Sequence, residues 1–170
     1  MAILPLVYEP AAVLKKVAEP VVDFNDELQV LINDMFDTMY ANNGCGLAAP
    51  QIGKSLSLSV IDTKGKGLEK IVIINPVIIE TRGEHEMEAG CLSIPGSYAI
   101  IKRPAWVKVK AQDATGKFFE IEGEGLLGEC LQHEIDHLNG KLFVDYLSSL
   151  KRKILTEKSR KIRKRLKRNN

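Results

Sequence analysis

The spacing of apolar residues in the first quarter of the chain predicts an amphipathic helix. Six of them recur at helical intervals: Leu28, Leu31, Ile32, Met35, Phe36 and Met39. Side chains at this spacing lie on one face of a helix and can be buried together. Asp23 or Asn25 is available as the N-cap, and the stretch 42–44 (Asn-Asn-Gly) ends the pattern. We therefore predict a helix over about residues 25–42.

The middle of the chain has the patterns of β-strands. Four segments are predicted as strands: 56–62, 71–79, 107–110 and 118–122. A turn signal that contains glycine lies between the first two strands, at 63–67, and another lies between the last two, at 114–116. Cys91, in the sequence Gly-Cys-Leu-Ser-Ile-Pro, is placed in a short segment between strands.

Two further helices are predicted in the last third of the chain. Residues 126–137 are apolar over much of a helical circumference, which is typical of a helix inside a domain. Residues 148–168 form a second, amphipathic pattern among many cations. Its apolar stripe is predicted to contain Leu150, Ile154, Leu155, Ile162 and Leu166.

These elements together predict an α+β fold. A mixed or antiparallel sheet would surround the central helix, with an N-terminal helix before it and a basic C-terminal helix after it. We expect residues 1–147 to form a catalytic domain. We expect residues 148–170 to form a basic helix packed on that domain or projecting from it.

Composition and charge narrow the class of protein. A length of 170 residues favours a single domain, and no apolar run approaches the ~20 residues of a membrane span. The N-terminal segment lacks the pattern of a secretory signal, and three cysteines favour a reducing compartment, so we expect a cytoplasmic location.

Charge is divided unevenly along the chain. Residues 151–170 carry 11 of the 24 Lys and Arg residues and one of the 22 acids, which gives +10 there and −8 in the remainder. Such a basic tail favours contact with a polyanion.

The stretch His133-Glu134-Ile135-Asp136-His137 is the strongest chemical signal in the sequence. Residues four apart on a helix share a face, so His133 and His137 can bind one metal ion. Glu134 would lie beside that ion, where its carboxylate can accept a proton from a water molecule.

A third ligand has several candidates. In one class of metalloproteases a further ligand follows the motif, but that position is Phe143 here. In a second class a later glutamate serves, and Glu157, in the basic tail, is the one available. A cysteine is favoured. Cys130 is seven residues from His137, a rise of about 10.5 Å along the helix, so Cys91 is the better ligand.

Three segments resemble the signature motifs of the peptide deformylase family, in the family's order. They are residues 44–53 (GCGLAAPQIG), 90–93 (GCLS) and 132–138 (QHEIDHL). The resemblance covers essentially the whole chain and includes the C-terminal helix of the bacterial type. It implies hydrolytic removal of the formyl group from formyl-methionine at the N-terminus of nascent polypeptides, with release of formate.

The resemblance also implies roles for individual residues. Cys91, His133 and His137 would hold one divalent ion, natively Fe²⁺, for which Zn²⁺, Ni²⁺ or Co²⁺ can substitute. Glu134 would be the general base, and the Gln51 amide and the Leu92 backbone N–H would stabilise the oxyanion. The substrate would be bound by Cys45, Gly46, Met87, Gly90, Leu126 and Glu129. From the residue type alone, Cys45 is a small buried apolar residue.

The chain departs from the family pattern at two positions. Ala89 stands where the family's second motif has glutamate, and Glu88 is one position early, on the opposite face of a strand. Glu129 stands where the family usually has an aliphatic residue of the methionine pocket. We hypothesise a swap in which Glu129 supplies the missing carboxylate and pairs with Arg103. His85 is expected to be exposed on a turn.

Three other classes of protein remain open at this point. A divergent deformylase-like hydrolase with an altered pocket would keep the metal ligands. A metallopeptidase would cut internal peptide bonds. A nucleic-acid-binding protein with a structural metal would have a closed site of four ligands. For a deformylase, the resemblance implies a ribosomal partner for the basic helix, and we expect a monomer with no membrane contact.

Overall fold

The computed structural model describes residues 2–169 of the chain. Met1, the first residue of the N-terminal segment considered above, and Asn170, the last of the predicted basic segment, lie outside the described residues. The helices are α1 (Asp26–Ala41), α2 (Gly125–Leu138) and α3 (Ser149–Arg168). The strands are β1 (Gly46–Ala48), β2 (Leu58–Ile61), β3 (Ile71–Arg82), β4 (His85–Cys91), β5 (Ile94–Arg103), β6 (Trp106–Gln112) and β7 (Phe118–Glu124). Short 3₁₀ helices occur at Ala12–Lys15, Ala49–Ile52 and Phe143–Tyr146.

Helix α1 forms where the apolar spacing predicted it. The Asn25 side chain caps it by accepting a hydrogen bond from the Leu28 N–H at 3.0 Å. Its apolar face is buried, with Met35 and Met39 completely inaccessible. This packing fixes the start of the segment that enters the site, because only residues 42–45 separate the end of α1 from β1.

A five-stranded antiparallel sheet in the order β1-β2-β3-β6-β7 forms the centre of the fold. All four residues of β2 are buried because the strand lies between two apolar layers. Leu58 and Val60 belong to the core that α1 covers, whereas Ile61 belongs to the core with Leu131 and Ile135 of α2. The period-2 alternation of strands therefore places α1 and α2 on opposite faces.

Strands β4 and β5 form a separate hairpin that the sequence analysis missed. The placement of Cys91 between strands was wrong, because Cys91 is the last residue of β4. A register shift between Gly90 and Cys91 interrupts the ladder at this point. Such an irregularity re-aims a side chain at the end of a strand. The pattern was missed because the segment mixes glycine, charged and small residues instead of alternating apolar ones.

Helix α3 packs against the hairpin and the N-terminal segment. Arg160 forms two hydrogen bonds with the Glu9 carboxylate, at 2.7 and 3.1 Å, and Ser97 donates to the Leu155 carbonyl at 2.8 Å. Ile162 lies against Gly96. Contact with the body thus continues into the second half of the helix.

The predicted apolar stripe of α3 was wrong at three of its five residues. Leu150, Ile154 and Leu166 are more than half exposed, whereas Thr156 and Ser159 are buried. The face that contacts the body combines Leu155 and Ile162 with the buried polar residues Thr156 and Ser159, so hydrophobicity alone assigned only part of it. Within residues 2–169, no helix combines the length and apolar character needed to cross a membrane.

Candidate metal centre and catalytic cleft

Three donor atoms from distant parts of the chain meet at one point. Cys91 Sγ lies 3.3 Å from His137 Nε2, which lies 3.1 Å from His133 Nε2. All three donors are within 4.8 Å of one another, an arrangement that could hold a metal ion. Two ligands at ~2.0–2.3 Å from one ion in tetrahedral geometry are separated by roughly 3.3–3.6 Å. The spacing of the donors therefore fits a single cation.

The protein surroundings keep these donors neutral. Desolvation raises the pKa of the Cys91 thiol to about 12 and lowers the pKa of His133 to about 3. Burial also lowers the pKa of His137 well below its usual value. Neutral imidazoles have a free lone pair for a metal, and a cation would favour the thiolate. The chemistry of the donor set thus agrees with its geometry.

Glu134 is buried on the same helix, next to the donors. Only 2% of its surface is exposed, and burial raises its pKa well above that of an ordinary glutamate. Its Oε1 has no hydrogen-bond partner within residues 2–169. A buried carboxylate with a raised pKa is a stronger base than an ordinary glutamate, as a general base requires.

Gly46 of β1 lies directly against this carboxylate. A Cβ added at Gly46 would overlap Oε2 of Glu134 and would lie 2.9 Å from its Cδ. The family resemblance predicted that Gly46 binds the substrate. The structure gives a reason for glycine at this position, since the backbone of β1 can approach Glu134 only without a side chain.

Gln51 lies beside Cys91 and is almost fully buried. Its Oε1 accepts the Ala48 N–H at 2.9 Å, which turns the amide nitrogen toward Cys91 Sγ at 3.5 Å and Ser93 Oγ at 3.2 Å. Ser93, which the sequence analysis did not single out, in turn donates to the Val7 carbonyl at 2.7 Å. The amide is therefore held in one orientation, with its N–H groups near the donor set.

A cleft of about 530 Å³ opens beside the donors. Besides Gln51, Cys91, His133 and Glu134, its lining includes six further residues predicted from the resemblance: Cys45, Gly46, Gly90, Leu92, Leu126 and Glu129. Met87 does not line the cleft. It is opposite Ile101 in the hairpin, and the lining reaches along β4 only as far as Glu88.

Several lining residues had no signal in the sequence. Tyr98 is the clearest example, because a Cβ at Gly90 would lie 2.6 Å from its ring. Tyr98 and Gly90 are paired across the two strands of the hairpin. That pairing could be found only with the hairpin register, which the sequence analysis did not assign.

Glu129 pairs with Arg103, as the swap hypothesis requires. Arg103 Nε lies 2.7 Å from Glu129 Oε1, and Arg103 Nη1 lies 2.6 Å from Asp136 Oδ2. His85 Nε2 is 3.5 Å from the other oxygen of Glu129. The expectation of an exposed His85 on a turn was wrong, because the residue begins β4 and is half-buried beside α2.

Comparison with known proteins identifies the family. The model of the polypeptide deformylase family matches residues 3–153. The structure is similar to the peptide deformylase of Legionella pneumophila, at 58% identity and a TM-score of 0.96, with 99% of both chains covered. It is also similar to the peptide deformylase of Ehrlichia chaffeensis in complex with actinonin, at 39% identity and a TM-score of 0.89. The similarity covers 95% of this chain and 98% of that chain. The peptide deformylase of Thermus thermophilus is similar at 39% identity and a TM-score of 0.84, with 92% of this chain and 93% of that chain covered. The chain belongs to the polypeptide deformylase family.

Proposed function

We propose that this protein removes the N-formyl group from formyl-methionine at the N-terminus of nascent polypeptides and releases formate. The observation that carries the proposal is the convergence of Cys91, His133 and His137 beside Glu134 in an open cleft. The family match over residues 3–153 supports the same activity and favours it over a divergent hydrolase. The chain is therefore a metal-dependent amide hydrolase.

Cys91, His133 and His137 are the proposed ligands of one divalent cation. When bound, such a cation supplies positive charge that acidifies water and polarises a carbonyl group. A set of one thiolate and two imidazoles suits several divalent metals. We propose Fe²⁺ as the native ion, with Zn²⁺, Ni²⁺ or Co²⁺ as substitutes.

Glu134 is the proposed general base and acid. Its raised pKa makes the carboxylate a stronger base than an ordinary glutamate, which favours acceptance of a proton from the attacking water. The same group then delivers the proton to the departing amine of the peptide. Gly46 leaves the space that the carboxylate occupies.

Gln51 and Leu92 are the proposed donors to the oxyanion that forms at the formyl carbon. The Gln51 amide is held beside Cys91 before the substrate arrives, so little reorganisation is needed during the reaction. Removal of one such donor typically lowers kcat by about 10²–10³-fold.

The cleft is the proposed binding site for the formyl-methionyl end of the substrate. Cys45, Gly46, Gly90, Leu126 and Glu129 form parts of its wall. Because Glu129 is held by Arg103, it places a polar, paired carboxylate at a wall that would otherwise be apolar. Actinonin, which the Ehrlichia chaffeensis enzyme binds, is expected to occupy this cleft.

The basic face of α3 is the proposed contact with ribosomal RNA. Its exposed cations include Lys158, Lys161, Lys164, Lys167 and Arg168, whereas Arg160 pairs with Glu9 of the body. Phosphate groups attract such a surface regardless of sequence. We propose that a monomer acts in the cytoplasm, as a catalytic body of residues 1–147 with the basic helix packed on it.

Release of formate from formyl-Met-Ala-Ser under anaerobic conditions tests the proposed activity. We expect turnover by the wild type and loss of ~10²–10⁴-fold in Glu134→Ala, the range for general acid–base catalysis. Metal content measured on both proteins separates loss of the base from loss of the ion. Equal turnover by both proteins at equal metal content would contradict the assignment.

A further inference from the structure

Two thiols that the proposed mechanism does not use meet in the wall of the cleft. Cys45 Sγ, just before β1, lies 3.0 Å from Cys130 Sγ on α2. Both cysteines are free, and both line the cleft. They are separated by 85 positions in the sequence, so the contact depends entirely on the fold.

We propose that Cys45 and Cys130 are a redox-sensitive pair that forms a reversible disulfide when the protein meets a peroxide. A disulfide bond measures ~2.05 Å between sulfur atoms, so the two sulfur atoms need to approach by about 1 Å. Both thiols belong to the same packed cluster around Ile61 and Leu131, which holds them opposite each other.

The surroundings of Cys45 favour reaction with a small oxidant. Cys45 is half-buried at the cleft wall, whereas Cys130 is only 5% exposed. The hydrogen bond between the two thiols lowers the pKa of Cys45, and the same contact together with burial raises the pKa of Cys130. Cys45 is therefore the attacking thiolate, and Cys130 is the resolving thiol.

The reaction balances with hydrogen peroxide as the oxidant. The Cys45 thiolate attacks one peroxide oxygen, the O–O bond breaks and hydroxide leaves, which produces a sulfenic acid. The Cys130 sulfur then attacks the Cys45 sulfur, the S–O bond breaks, and the Cys130 proton leaves with the hydroxyl group as water. In sum, two thiols and one peroxide give one disulfide and two waters, and two electrons pass to the peroxide.

The disulfide would join the segment that carries Gly46 to the helix that carries Glu134. A Cβ at Gly44 would already lie 2.8 Å from Leu92, and one at Gly46 would overlap Glu134, so this segment has little free space. A shift of about 1 Å near reacting groups can lower the rate by ~10²-fold. We therefore expect lower turnover after oxidation. This consequence rests on the proposed function, whereas formation of the disulfide is independent of it.

Peptide mapping of the zinc-loaded protein tests the pair. Zinc is chosen because it undergoes no redox change and keeps Cys91 as a ligand. After treatment with hydrogen peroxide and alkylation of free thiols, tryptic digestion separates the cysteines into peptides 17–54, 83–102 and 118–141. We expect peptides 17–54 and 118–141 to be linked, lighter by two hydrogen atoms and released by dithiothreitol. The proposal would be overturned if Cys45 and Cys130 were still alkylated after treatment with hydrogen peroxide. A disulfide link to peptide 83–102 would also overturn it.

The variants Cys45→Ser and Cys130→Ser test the consequence. Turnover by each protein after peroxide is compared with turnover by its own reduced form, so any change in basal activity cancels. Turnover by the wild type should fall by about 10-fold or more and recover with dithiothreitol, whereas Cys45→Ser, which lacks the attacking thiolate, should retain its reduced rate. In Cys130→Ser no linked peptide should form, because the Cys45 sulfenic acid has no resolving thiol. An equal fall in the wild type and in Cys45→Ser would refute this consequence, and the mapping of the wild type stands even if a variant fails to fold.

Discussion

At the scale of the residue, the position of Gly46 shows how the site depends on a missing side chain. The backbone of β1 passes so close to Glu134 that a methyl group would overlap the carboxylate. The backbone there does not need a left-handed conformation, so alanine fails for lack of space alone. This makes the residue a clean test of the contact.

We predict that Gly46→Ala destabilises the wild type by about 1–3 kcal/mol, the usual cost of overpacking. In the Glu134→Ala background the cost should be much smaller, because the atoms that meet the new methyl group are gone. Unfolding of the four proteins in urea gives the coupling energy of this cycle. Costs that are equal in the two backgrounds would show that Gly46 and Glu134 do not contact as described.

The ion pair of Arg103 and Glu129 is a second contact at the scale of the residue. Both residues are at least 93% buried, and Arg103 also bonds Asp136, next to the proposed ligand His137. Loss of one partner leaves part of a buried charge unpaired, which is costly. The pair therefore ties β5 to α2, the helix of the proposed histidine ligands.

We predict that Glu129→Ile lowers the free energy of unfolding by roughly 3 kcal/mol, as expected for a broken buried pair. Adding Ala89→Glu to this variant should restore part of the loss, because the carboxylate returns from the neighbouring strand. Urea unfolding and formate release measured on both proteins test the swap. The swap hypothesis would be wrong if Glu129→Ile alone left stability and activity unchanged.

At the scale of the element, the sequence predicted the helices better than the hairpin. Helix α1 has uninterrupted apolar periodicity and an Asn cap, and α2 has an apolar surface with its two histidines one turn apart, so local rules were sufficient. The β4–β5 hairpin has glycine and charged residues where alternation is expected, and it packs against α3 and the 3₁₀ helix Phe143–Tyr146, which are distant in the sequence. The stripe of α3 was misplaced because Thr156 and Ser159 are buried there, whereas Leu150 and Leu166 are exposed.

The same distinction applies to the site. The two histidines and Glu134 could be predicted because one helical turn brings them together. Cys91 could be predicted only by elimination of the other candidate ligands, and the family resemblance then supported it, since no local rule relates it to α2. The contact of Gly46 with Glu134, the support of Gln51 by Ser93 and the Cys45–Cys130 pair join segments far apart in the chain, and periodicity carries no information about such contacts.

At the scale of the whole molecule, charge is separated between an acidic body and a basic helix. Residues 151–170 carry a net charge of +10, whereas the rest carries −8. Helix α3 is anchored to the body by Arg160 and Glu9 and by contacts of Leu155 and Ile162. Removal of the helix would therefore uncover part of the body, so reversal of exposed charges is the sharper experiment.

We predict that combined Lys161→Glu, Lys164→Glu and Arg168→Glu substitutions weaken co-sedimentation with ribosomes while turnover of a free formylated peptide persists. Wild-type association should fall steeply with salt, and the variant should show a shallower dependence. The matched control reverses three exposed lysines on other parts of the surface: Lys54, Lys66 and Lys117. Equal binding by the α3 variant and the wild type would contradict a role of this face.

X-ray absorption spectroscopy of the zinc-loaded protein tests the central claim most directly. We predict one sulfur ligand at about 2.3 Å and two imidazole nitrogens at about 2.0–2.1 Å, with a lighter atom completing the shell. In Cys91→Ser the sulfur contribution should disappear, whereas in Cys130→Ser it should remain. Two sulfur ligands in the wild type, or a sulfur signal that survives Cys91→Ser, would contradict the assignment of Cys91, His133 and His137 as the metal site.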